Sequence, residues 1–323
     1  MSQLAMLDKY TVCFREGSGA DTFVFCVENE QRNQFVVKII SHKLPQDQHA
    51  FRLGQLNNEL NILQEESFPG TVKVYDVCPG ECTQTGQETK IVHYLLMEKI
   101  DGGDLENITS LFGQTKIQEN TLHYLCQKVL HIFTEIHQRG YVHLDIKPDN
   151  IMVDLTGEVK VIDFGLAKKI DQSASQVGVF GTIPQIAPEM YSDTCYNPQK
   201  ADVFSLGVLL FRILFQCVPW RDSKENDPNF ANFKTKNELF WQTFSHKVGQ
   251  TIKPEIKGFF NNVLGCDADA REPLNNWTTK FTWLQKVVDE EKARAEIGSM
   301  AQLVSMMKMN ARQKGLFEVS GSF

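Results

Sequence analysis

β-Branched and aromatic residues are concentrated in short segments of the first hundred positions. Five such segments are bounded by turn residues and predict strands at 10–14, 23–28, 34–40, 72–77 and 91–98. Between the third and fourth segments, leucines at positions 53, 56, 60 and 63 recur at helical spacing and predict a helix over residues 49–65. These patterns predict a small, mostly antiparallel β lobe that contains one helix.

The period of the apolar residues changes after the Asp-Gly-Gly sequence at 101–103. Apolar residues at 122, 125, 129, 132, 133 and 136 predict an amphipathic helix that ends near Gly140. Helical patterns then dominate as far as Trp283. The sequence therefore predicts an α+β chain of two lobes, the second larger and mostly helical.

Two later segments have distinct compositions. Residues 203–218 are apolar but include Ser205, Arg212 and Gln216, so we expect a buried core helix rather than a membrane span. Residues 218–236 are rich in Pro, Asn, Asp and Lys and are expected to form a long loop. The predicted organisation is a domain over 8–287, divided into lobes 8–100 and 101–287, and a C-terminal helix and tail over 288–323.

Composition narrows the class of protein. The hydrophobic content of 42% is ordinary for a soluble domain, and the net charge of −7 argues against nucleic acid or an anionic membrane as the main partner. Eight cysteines are scattered through apolar segments, and no apolar signal peptide is visible at the start. We therefore expect reduced thiols and a cytoplasmic location, with the nucleus as the alternative.

The residues most informative about chemistry are 143–150, which read HLDIKPDN, and Asp163-Phe164-Gly165 thirteen residues later. The first run supplies a carboxylate, an ammonium and an amide, and the second adds another carboxylate. Such groups can accept a hydroxyl proton, neutralise a phosphate and hold magnesium. The pair resembles the catalytic loop and the metal-binding segment of the protein kinase family, and the resemblance extends over about residues 10–286.

The resemblance implies a role for each polar residue of these two segments. Asp145 would accept the proton of a substrate hydroxyl, and Lys147 would balance charge on the transferring phosphoryl group. Asn150 and Asp163 would hold Mg²⁺. Lys147 two places after Asp145, together with Thr182 ahead of Ala-Pro-Glu at 187–189, is typical of the serine/threonine class.

The segment GSGADTFV at 17–24 is similar to the glycine-rich loop that covers ATP phosphates in this family. A tight hairpin would also favour these glycines, so both readings stay open. Three residues depart from the family pattern: Thr22 replaces a glycine, Glu16 replaces an aliphatic residue, and Asp21 places negative charge near phosphates.

A lysine in an apolar strand is costly to bury without a carboxylate partner. The resemblance implies that Lys38 is this lysine and Glu59 its partner; the alternative is a surface lysine on an edge strand. Residues 95–104 resemble the hinge between kinase lobes. The implied ATP contacts are Glu16, Gly17, Ser18, Gly19, Val24, Val36, Lys38, Met97, Glu98, Ile100, Asp104 and Met152.

Four further residues match structural positions of the family. Glu189 is expected to pair with Arg271, and Asp202 to bind amides of the catalytic loop. His143 and Phe164 match an apolar stack, together with Leu63 and Val74.

The sequence departs from the family pattern at two positions that concern regulation. Leu144 stands in place of the arginine that grips an activating phosphate, and Gly178 lies near the usual phosphorylation position. We therefore expect a non-RD kinase whose segment 163–189 orders without phosphorylation, with Ser173 and Ser175 as alternative sites. Ile183 is expected to favour an apolar residue after the phosphoacceptor.

These features predict a serine/threonine protein kinase that uses ATP and Mg²⁺ on protein substrates. The alternative is a pseudokinase, a nucleotide-binding or scaffolding module, which the departures at positions 16, 21 and 22 favour; a small-molecule kinase is a lesser alternative. The helix predicted over 297–314 has an apolar face and a basic end. It is expected either to pack on the large lobe or to bind a regulatory protein.

Overall fold

The computed structural model describes residues 5–18, 21–84, 88–112, 117–170, 176–192 and 194–313. The described chain divides into two compact units. The N-terminal unit contains residues 5–102, 162–165 and 302–313, and the C-terminal unit contains residues 103–161 and 166–301.

The N-terminal unit is a closed β-barrel with one helix. Its strands follow the order β1-β2-β3-β4-β6-β5, and every pairing is antiparallel. The elements are β1 (Ala5–Leu7), β2 (Tyr10–Ser18), β3 (Thr22–Glu28), β4 (Gln34–Ile40), α1 (Gln46–Glu66), β5 (Val74–Gln84) and β6 (Lys90–Glu98). The five predicted strands and the predicted helix are all present.

Two features of this unit differ from the sequence prediction. Strand β1 was missed because three apolar residues show no period, and it is defined by pairing on both sides, with β2 and with β5. Strand β5 runs seven residues beyond the predicted end at Val77. The barrel interior is apolar, because alternate residues of each strand point inward; Leu7, Val37 and Val27 are fully buried there.

The C-terminal unit is mainly helical. Its helices are α2 (Leu105–Phe112), α3 (Glu119–Gln138), α4 (Pro198–Phe215), α5 (Pro228–Thr235), α6 (Asn237–Val248), α7 (Pro254–Val263), α8 (Trp277–Lys280) and α9 (Glu290–Gln313), the last of which continues beyond this unit. Its short strands, not predicted from the sequence, are β7 (Gly102–Asp104), β8 (Tyr141–Val142), β9 (Ile151–Asp154), β10 (Val159–Val161) and β11 (Lys168–Lys169). Strand β9 lies between β10 and β7, and β11 pairs with β8.

Helix α4 is the core of this unit. It is buried on all sides from Ala201 to Phe211, which agrees with the buried helix predicted over 203–218. Asn197 caps its start by accepting hydrogen bonds from the backbone amides of Gln199 and Lys200, and Pro198 occupies the first turn. The helix therefore begins five residues earlier than its apolar pattern suggests.

The long loop predicted over 218–236 is wrong, because α5 lies within it. Asp227 caps this helix by accepting from the amides of Asn229 and Phe230, and Pro228 follows at the first position. Phe230 and Phe233 are buried against Trp220. An Asp-Pro pair is as typical of a helix start as of a loop, and the buried aromatic face decides between them.

The predicted C-terminal helix is present as α9. Its first half is buried at Ala293, Ile297 and Ala301, and Arg294 forms a 2.6 Å ion pair with Glu158 of the C-terminal unit. Packing on the large lobe is therefore the arrangement of this half, while Met307 farther along is 57% exposed. Of the predicted basic end, Lys308 and Arg312 lie on α9, and Lys314 lies outside the described residues. Within the described ranges, no helix is long and apolar enough to cross a bilayer.

Replacing Phe211 with alanine is expected to destabilise the C-terminal unit by about 3–5 kcal/mol, because it removes a large buried ring. Phe211 is fully buried and its ring lies 4.7–6.3 Å from those of Phe215, Trp241, Phe244 and Phe260. Urea unfolding followed by tryptophan fluorescence measures this loss, since all four tryptophans belong to this unit. Phe51→Ala, at a ring that is 61% exposed, is the matched control and should leave the midpoint unchanged. Equal midpoints for the two variants would contradict the assignment of Phe211 to the core.

Candidate active site

The segment 143–150 follows β8. The buried carboxylate of Asp202 fixes the start of this segment. Asp202 of α4 accepts hydrogen bonds from the backbone amides of His143 at 2.7 Å and Leu144 at 2.9 Å. The ring Nε2 of His137 lies 3.0 Å from the same carboxylate. Leu144 has a φ of 64°, a left-handed conformation that costs an ordinary residue free energy. The two bonds to Asp202 stabilise this conformation and so set the direction of the residues that follow.

Asp145 is surrounded by groups that donate hydrogen bonds. Lys147 Nζ lies 2.6 Å from Oδ2, and the Thr182 hydroxyl donates to Oδ1 at 3.0 Å. Lys147 Nζ also donates to the Thr182 hydroxyl oxygen at 3.1 Å. The Asn150 amide nitrogen donates to the Asp145 backbone oxygen at 2.9 Å and to Oδ2 at 3.2 Å. Lys147 and Asn150 from the same run, and Thr182 from farther along the chain, thus form one polar cluster around the Asp145 carboxylate.

Lys38 is shared by two carboxylates in the N-terminal unit. Its ammonium lies 2.8 Å from Asp163 Oδ1 and 3.4 Å from Glu59 Oε2. Burial alone would lower the pKa of Lys38, but the charges of Asp163 and Glu59 outweigh burial and raise that pKa above its usual value. Burial raises the pKa of the Glu59 carboxyl, and the Lys38 ammonium opposes this shift. The alternative of a surface lysine on an edge strand is wrong, because β4 lies between β3 and β6.

The Asp-Phe-Gly segment is held against α1 by a residue that sequence reasoning missed. Asn58 donates from its side-chain amide to the backbone oxygens of Phe164 at 3.2 Å and Gly165 at 3.3 Å. Phe164 is fully buried, and its ring stacks on that of Phe68 at 6.1 Å. The position of Asn58 next to Glu59 is the only sequence signal, and it gives no hint of this contact.

The predicted stack residues are buried, each within its own unit. Leu63, Val74 and Phe164 are buried in the N-terminal unit. His143 is fully buried in the C-terminal unit, where its ring meets that of Phe133 edge to face at 5.6 Å.

The glycine-rich segment connects two paired strands. Gly17 pairs with Val24 and Ser18 with Phe23, so the hairpin that was the alternative reading is present. A glycine-bearing connection between strands is compatible with phosphate binding, because backbone amides can bind anions. Gly19 lies outside the described residues. A Cβ at Gly17 would meet no atom within 4 Å, so space is not what requires this glycine.

The charge of Asp21 is compensated within the protein. Arg52 of α1 donates from Nε to Asp21 Oδ2 at 3.0 Å, and its Nη2 contacts the same oxygen. Sequence reasoning missed Arg52 because it lies thirty-one positions from Asp21 in no recognised motif. Glu16 lies on β2 and Thr22 begins β3.

The segment predicted as a hinge, 95–104, begins in β6 and ends in β7. Val36 of β4 and Met97 of β6 are register partners in the barrel, so they present adjacent side chains. Glu98 accepts a hydrogen bond from the Lys73 amide at 2.8 Å, and Ile100 lies two residues after β6 ends.

In the C-terminal unit, Asp104 ends β7 and accepts from the Asn107 amide at 2.7 Å, as a helix cap does. A ribose hydroxyl at Asp104 would compete with this cap. Met152 lies on β9 and is partly buried.

Glu189 and Arg271 form a bidentate ion pair, with distances of 2.6 and 2.8 Å. The guanidinium is fully buried and also donates to the backbone oxygens of Gly265 and Lys200, both at 2.8 Å. Its planar face lies 4.9 Å from the Phe204 ring. All these contacts satisfy the buried charge and fix the turn Pro188–Tyr191 to the core.

Residues 176–189 of the predicted activation segment contact several neighbouring side chains and backbone groups. Gln176 and Tyr196 exchange two backbone hydrogen bonds of 2.9 Å, and the Tyr196 hydroxyl donates to Gly178 O at 3.0 Å. Lys168 donates to the Gln176 side chain at 2.9 Å and lies 4.5 Å from the centre of the Phe180 ring. Leu144 is buried. Ser173 and Ser175 lie outside the described residues, and Ile183 is 56% exposed.

Comparison with known proteins agrees with this architecture. A family model described as "Protein kinase domain" matches residues 13–280. Mitogen-activated protein kinase kinase 1 of Arabidopsis thaliana is 34% identical over 178 residues, covering 54% of this chain and 49% of that protein. CBL-interacting serine/threonine-protein kinase 15 of the same plant is 34% identical over 241 residues, covering 73% and 52%. CBL-interacting serine/threonine-protein kinase 20, also from Arabidopsis thaliana, is 26% identical over 291 residues, covering 88% and 60%.

The chain spans about half the length of the curated relatives that it matches. The family model, by contrast, matches most of the chain and both compact units. An N-terminal β unit with one helix and a larger helical unit make up the fold expected from the sequence. The chain therefore belongs to the protein kinase family.

Proposed function

We propose that this chain is a serine/threonine protein kinase, which transfers the γ-phosphoryl group of ATP to serine or threonine hydroxyls of protein substrates. The cluster of Asp145, Lys147 and Thr182 is the observation that carries the proposal. It brings a carboxylate, an ammonium and a hydroxyl within 2.6–3.1 Å of one another. Lys147 and Thr182 are the residues typical of the serine/threonine class, and the relatives named as serine/threonine kinases support that class.

Asp145 acts as acceptor of the substrate hydroxyl proton. Its carboxylate is oriented by Asn150 and Thr182, so little reorganisation is needed when a hydroxyl approaches. Lys147 sits beside it and neutralises charge that develops on the transferred group. A correctly placed general base contributes typically about 10²- to 10⁴-fold to the rate.

Lys38 binds phosphate oxygens of the nucleotide. Glu59 and Asp163 hold the ammonium in place and keep it charged, because both raise its pKa. The adjacent apolar side chains of Val36 and Met97 suit an adenine ring, and the backbones of Glu98 and Ile100 supply its polar contacts. The segment 16–24 covers the phosphates.

The residues present fit magnesium. The protein kinase family generally uses ATP and Mg²⁺. Among the described residues, no three His, Cys, Asp or Glu side chains form a group that could hold a metal alone. Magnesium instead prefers one or two protein oxygens together with substrate phosphates. Asp163 of the N-terminal unit offers a carboxylate, and Asn150 of the C-terminal unit offers an amide oxygen. The amide nitrogen of Asn150 is engaged with Asp145, which orients this side chain. Bound magnesium would neutralise phosphate charge.

The pseudokinase alternative rests on Glu16, Asp21 and Thr22. The charge of Asp21 is compensated by Arg52, which weakens that argument. Lys38 with its carboxylate partners, in one unit, and the cluster around Asp145, in the other, each supply groups that phosphoryl transfer requires. We therefore favour the enzyme, acting on protein substrates in the cytoplasm.

A regulatory protein at the end of α9 stays a second proposal, supported by the exposed Met306 and Met307.

We also propose that the activation segment needs no phosphate. The contacts of Tyr196 with Gly178 and of Lys168 with Phe180 supply the order that a phosphate and an arginine supply elsewhere. The buried leucine at 144 agrees with this proposal, because it has no charge to receive a phosphate. Ile183 follows Thr182 in the chain. Its side chain is exposed and would contact a substrate residue.

Replacing Asp145 with asparagine is expected to lower kcat by about 10²-fold or more, because the amide accepts a proton poorly. Radiolabel transfer to a peptide library measures this rate and reports the preferred sequence at the same time. Asp149→Asn, an exposed carboxylate in the same turn, is the matched control and should keep full activity. A wild-type protein that binds ATP and transfers nothing to any substrate would favour the pseudokinase.

Phosphatase treatment of protein made in bacteria is expected to leave kcat unchanged, since no phosphate orders the segment. Phe180→Ala should instead lower kcat by roughly two- to fivefold, because it removes the ring beneath the Lys168 ammonium. Val179→Ala, at an exposed neighbouring side chain, is the control for a general change in the segment. Complete loss of activity after phosphatase treatment would contradict the proposal.

A further inference from the structure

Helix α1 carries a row of polar residues, and each of them contacts a different part of the proposed nucleotide site. Glu59 pairs with Lys38 of β4, and Asn58 binds the backbone of the Asp-Phe-Gly segment. One and two turns earlier, Gln55 and Arg52 lie on the same face as Glu59, because they precede it by four and seven residues in the helix. The Gln55 backbone also lies close to Gly165. All of these contacts are within the N-terminal unit.

The contact of Arg52 with Asp21 is more than a chance surface pair. Arg52 approaches one carboxylate oxygen with both Nε and Nη2, and its Nη1 is held by Gln55 Oε1 at 2.8 Å. The two side chains are only 31% and 24% exposed. Asp21 is also fixed through its backbone oxygen, which accepts from the Ser41 amide at 3.0 Å. Both partners are therefore held in place on either side of the ion pair.

The ion pair bears on the chemistry because Asp21 belongs to the segment that covers phosphates in the proposed site. An uncompensated carboxylate there would repel the nucleotide, and a mobile one would leave the segment without a fixed position. The guanidinium of Arg52 neutralises the Asp21 carboxylate. The same contact holds the segment against α1.

We propose that Arg52 is a positioning residue for nucleotide binding, which acts through Asp21 and not by contact with ATP. This inference rests on the proposed function, since it assumes that the segment 17–24 covers phosphates. Asp21 departs from the family pattern, and the inference gives this residue a defined partner. It also makes the position of α1 and the affinity for nucleotide depend on each other, because the helix carries both Arg52 and Glu59.

The test is a double-mutant cycle on nucleotide affinity. Arg52→Gln is expected to raise the Kd for a fluorescent ATP analogue, and the KM for ATP, by roughly two- to fivefold, with kcat little changed. In the Asp21→Asn background the same substitution should have no effect, because no charge is left to compensate. Arg52→Lys should restore part of the affinity. High salt should shrink the difference between wild type and Arg52→Gln, since the charges are partly exposed.

Arg32→Gln is the matched control. Arg32 forms a 3.3 Å pair with Glu28 on the same barrel, is 87% exposed at its side chain and lies away from α1, so its loss should leave the Kd unchanged. Circular dichroism melts of every variant report whether the unit is folded. If Arg52→Gln does not fold, the charge exchange Asp21→Arg with Arg52→Asp replaces it, and should bind the analogue better than Asp21→Arg alone.

Two results would overturn the proposal. An effect of Arg52→Gln that persists undiminished in the Asp21→Asn background would mean that Arg52 acts on the nucleotide directly. An unchanged Kd in folded Arg52→Gln would mean that the ion pair is irrelevant to binding. Absence of phosphoryl transfer in the wild type would count against the proposed function alone, since the analogue still measures the coupling between the two residues.

Discussion

The buried carboxylate of Asp202 is the constraint from which the geometry of the catalytic segment follows. A charge with 1% exposure is tolerated only when hydrogen bonds surround it, and here two backbone amides and the His137 ring do so. Leu144 adopts a left-handed conformation where these amides meet the carboxylate. The chain then turns so that Asp145 and Asn150 meet, and Lys147 and Thr182 close around them. A free-energy cost in one residue is offset by the satisfaction of a charge in the core.

A second electrostatic arrangement governs the N-terminal unit. One ammonium, that of Lys38, faces two carboxylates, those of Glu59 and Asp163. Such a group carries a net negative charge when all three are ionised, so its charge attracts a cation. Helix α1 supplies Glu59 and, through Asn58, orients the segment that carries Asp163. The helix therefore sets the charge distribution as well as the geometry of this unit.

The sequence predicts the regular parts of the fold well, and the reasons are local. The strands of the barrel and helices α1 and α3 have apolar residues at a clear period, because each has one buried face. Helix α4 shows a largely apolar run instead, because it is buried on all sides. The sequence pattern predicts a loop at α5, because an Asp-Pro start is also typical of loops. The helix is short, and its two buried phenylalanines do not show a clear period. Strand β1 has only three residues, and its existence depends on partners at both edges.

The residues of the candidate site likewise include some that the sequence predicts and some that it does not. Its main residues belong to short motifs, in which spacing along the chain is itself informative. Arg52 and Asn58 belong to no motif, and their contacts depend on how a helix face meets a loop or a neighbouring backbone. Asp21 was visible in the sequence as an unfavourable charge, but its partner was not. A departure from a pattern can be recognised from sequence, whereas its compensation depends on tertiary structure.

The hydrogen bonds to Asp202 come from main-chain amides, and this has a consequence for how such proteins evolve. The contact that shapes the catalytic segment does not depend on the side chain at position 144, provided that the residue tolerates a positive φ. A change of side chain at position 144 can therefore leave both hydrogen bonds in place. In such proteins, selection can vary that side chain while the direction of the following residues is inherited unchanged, because the two depend on different atoms of the same residue.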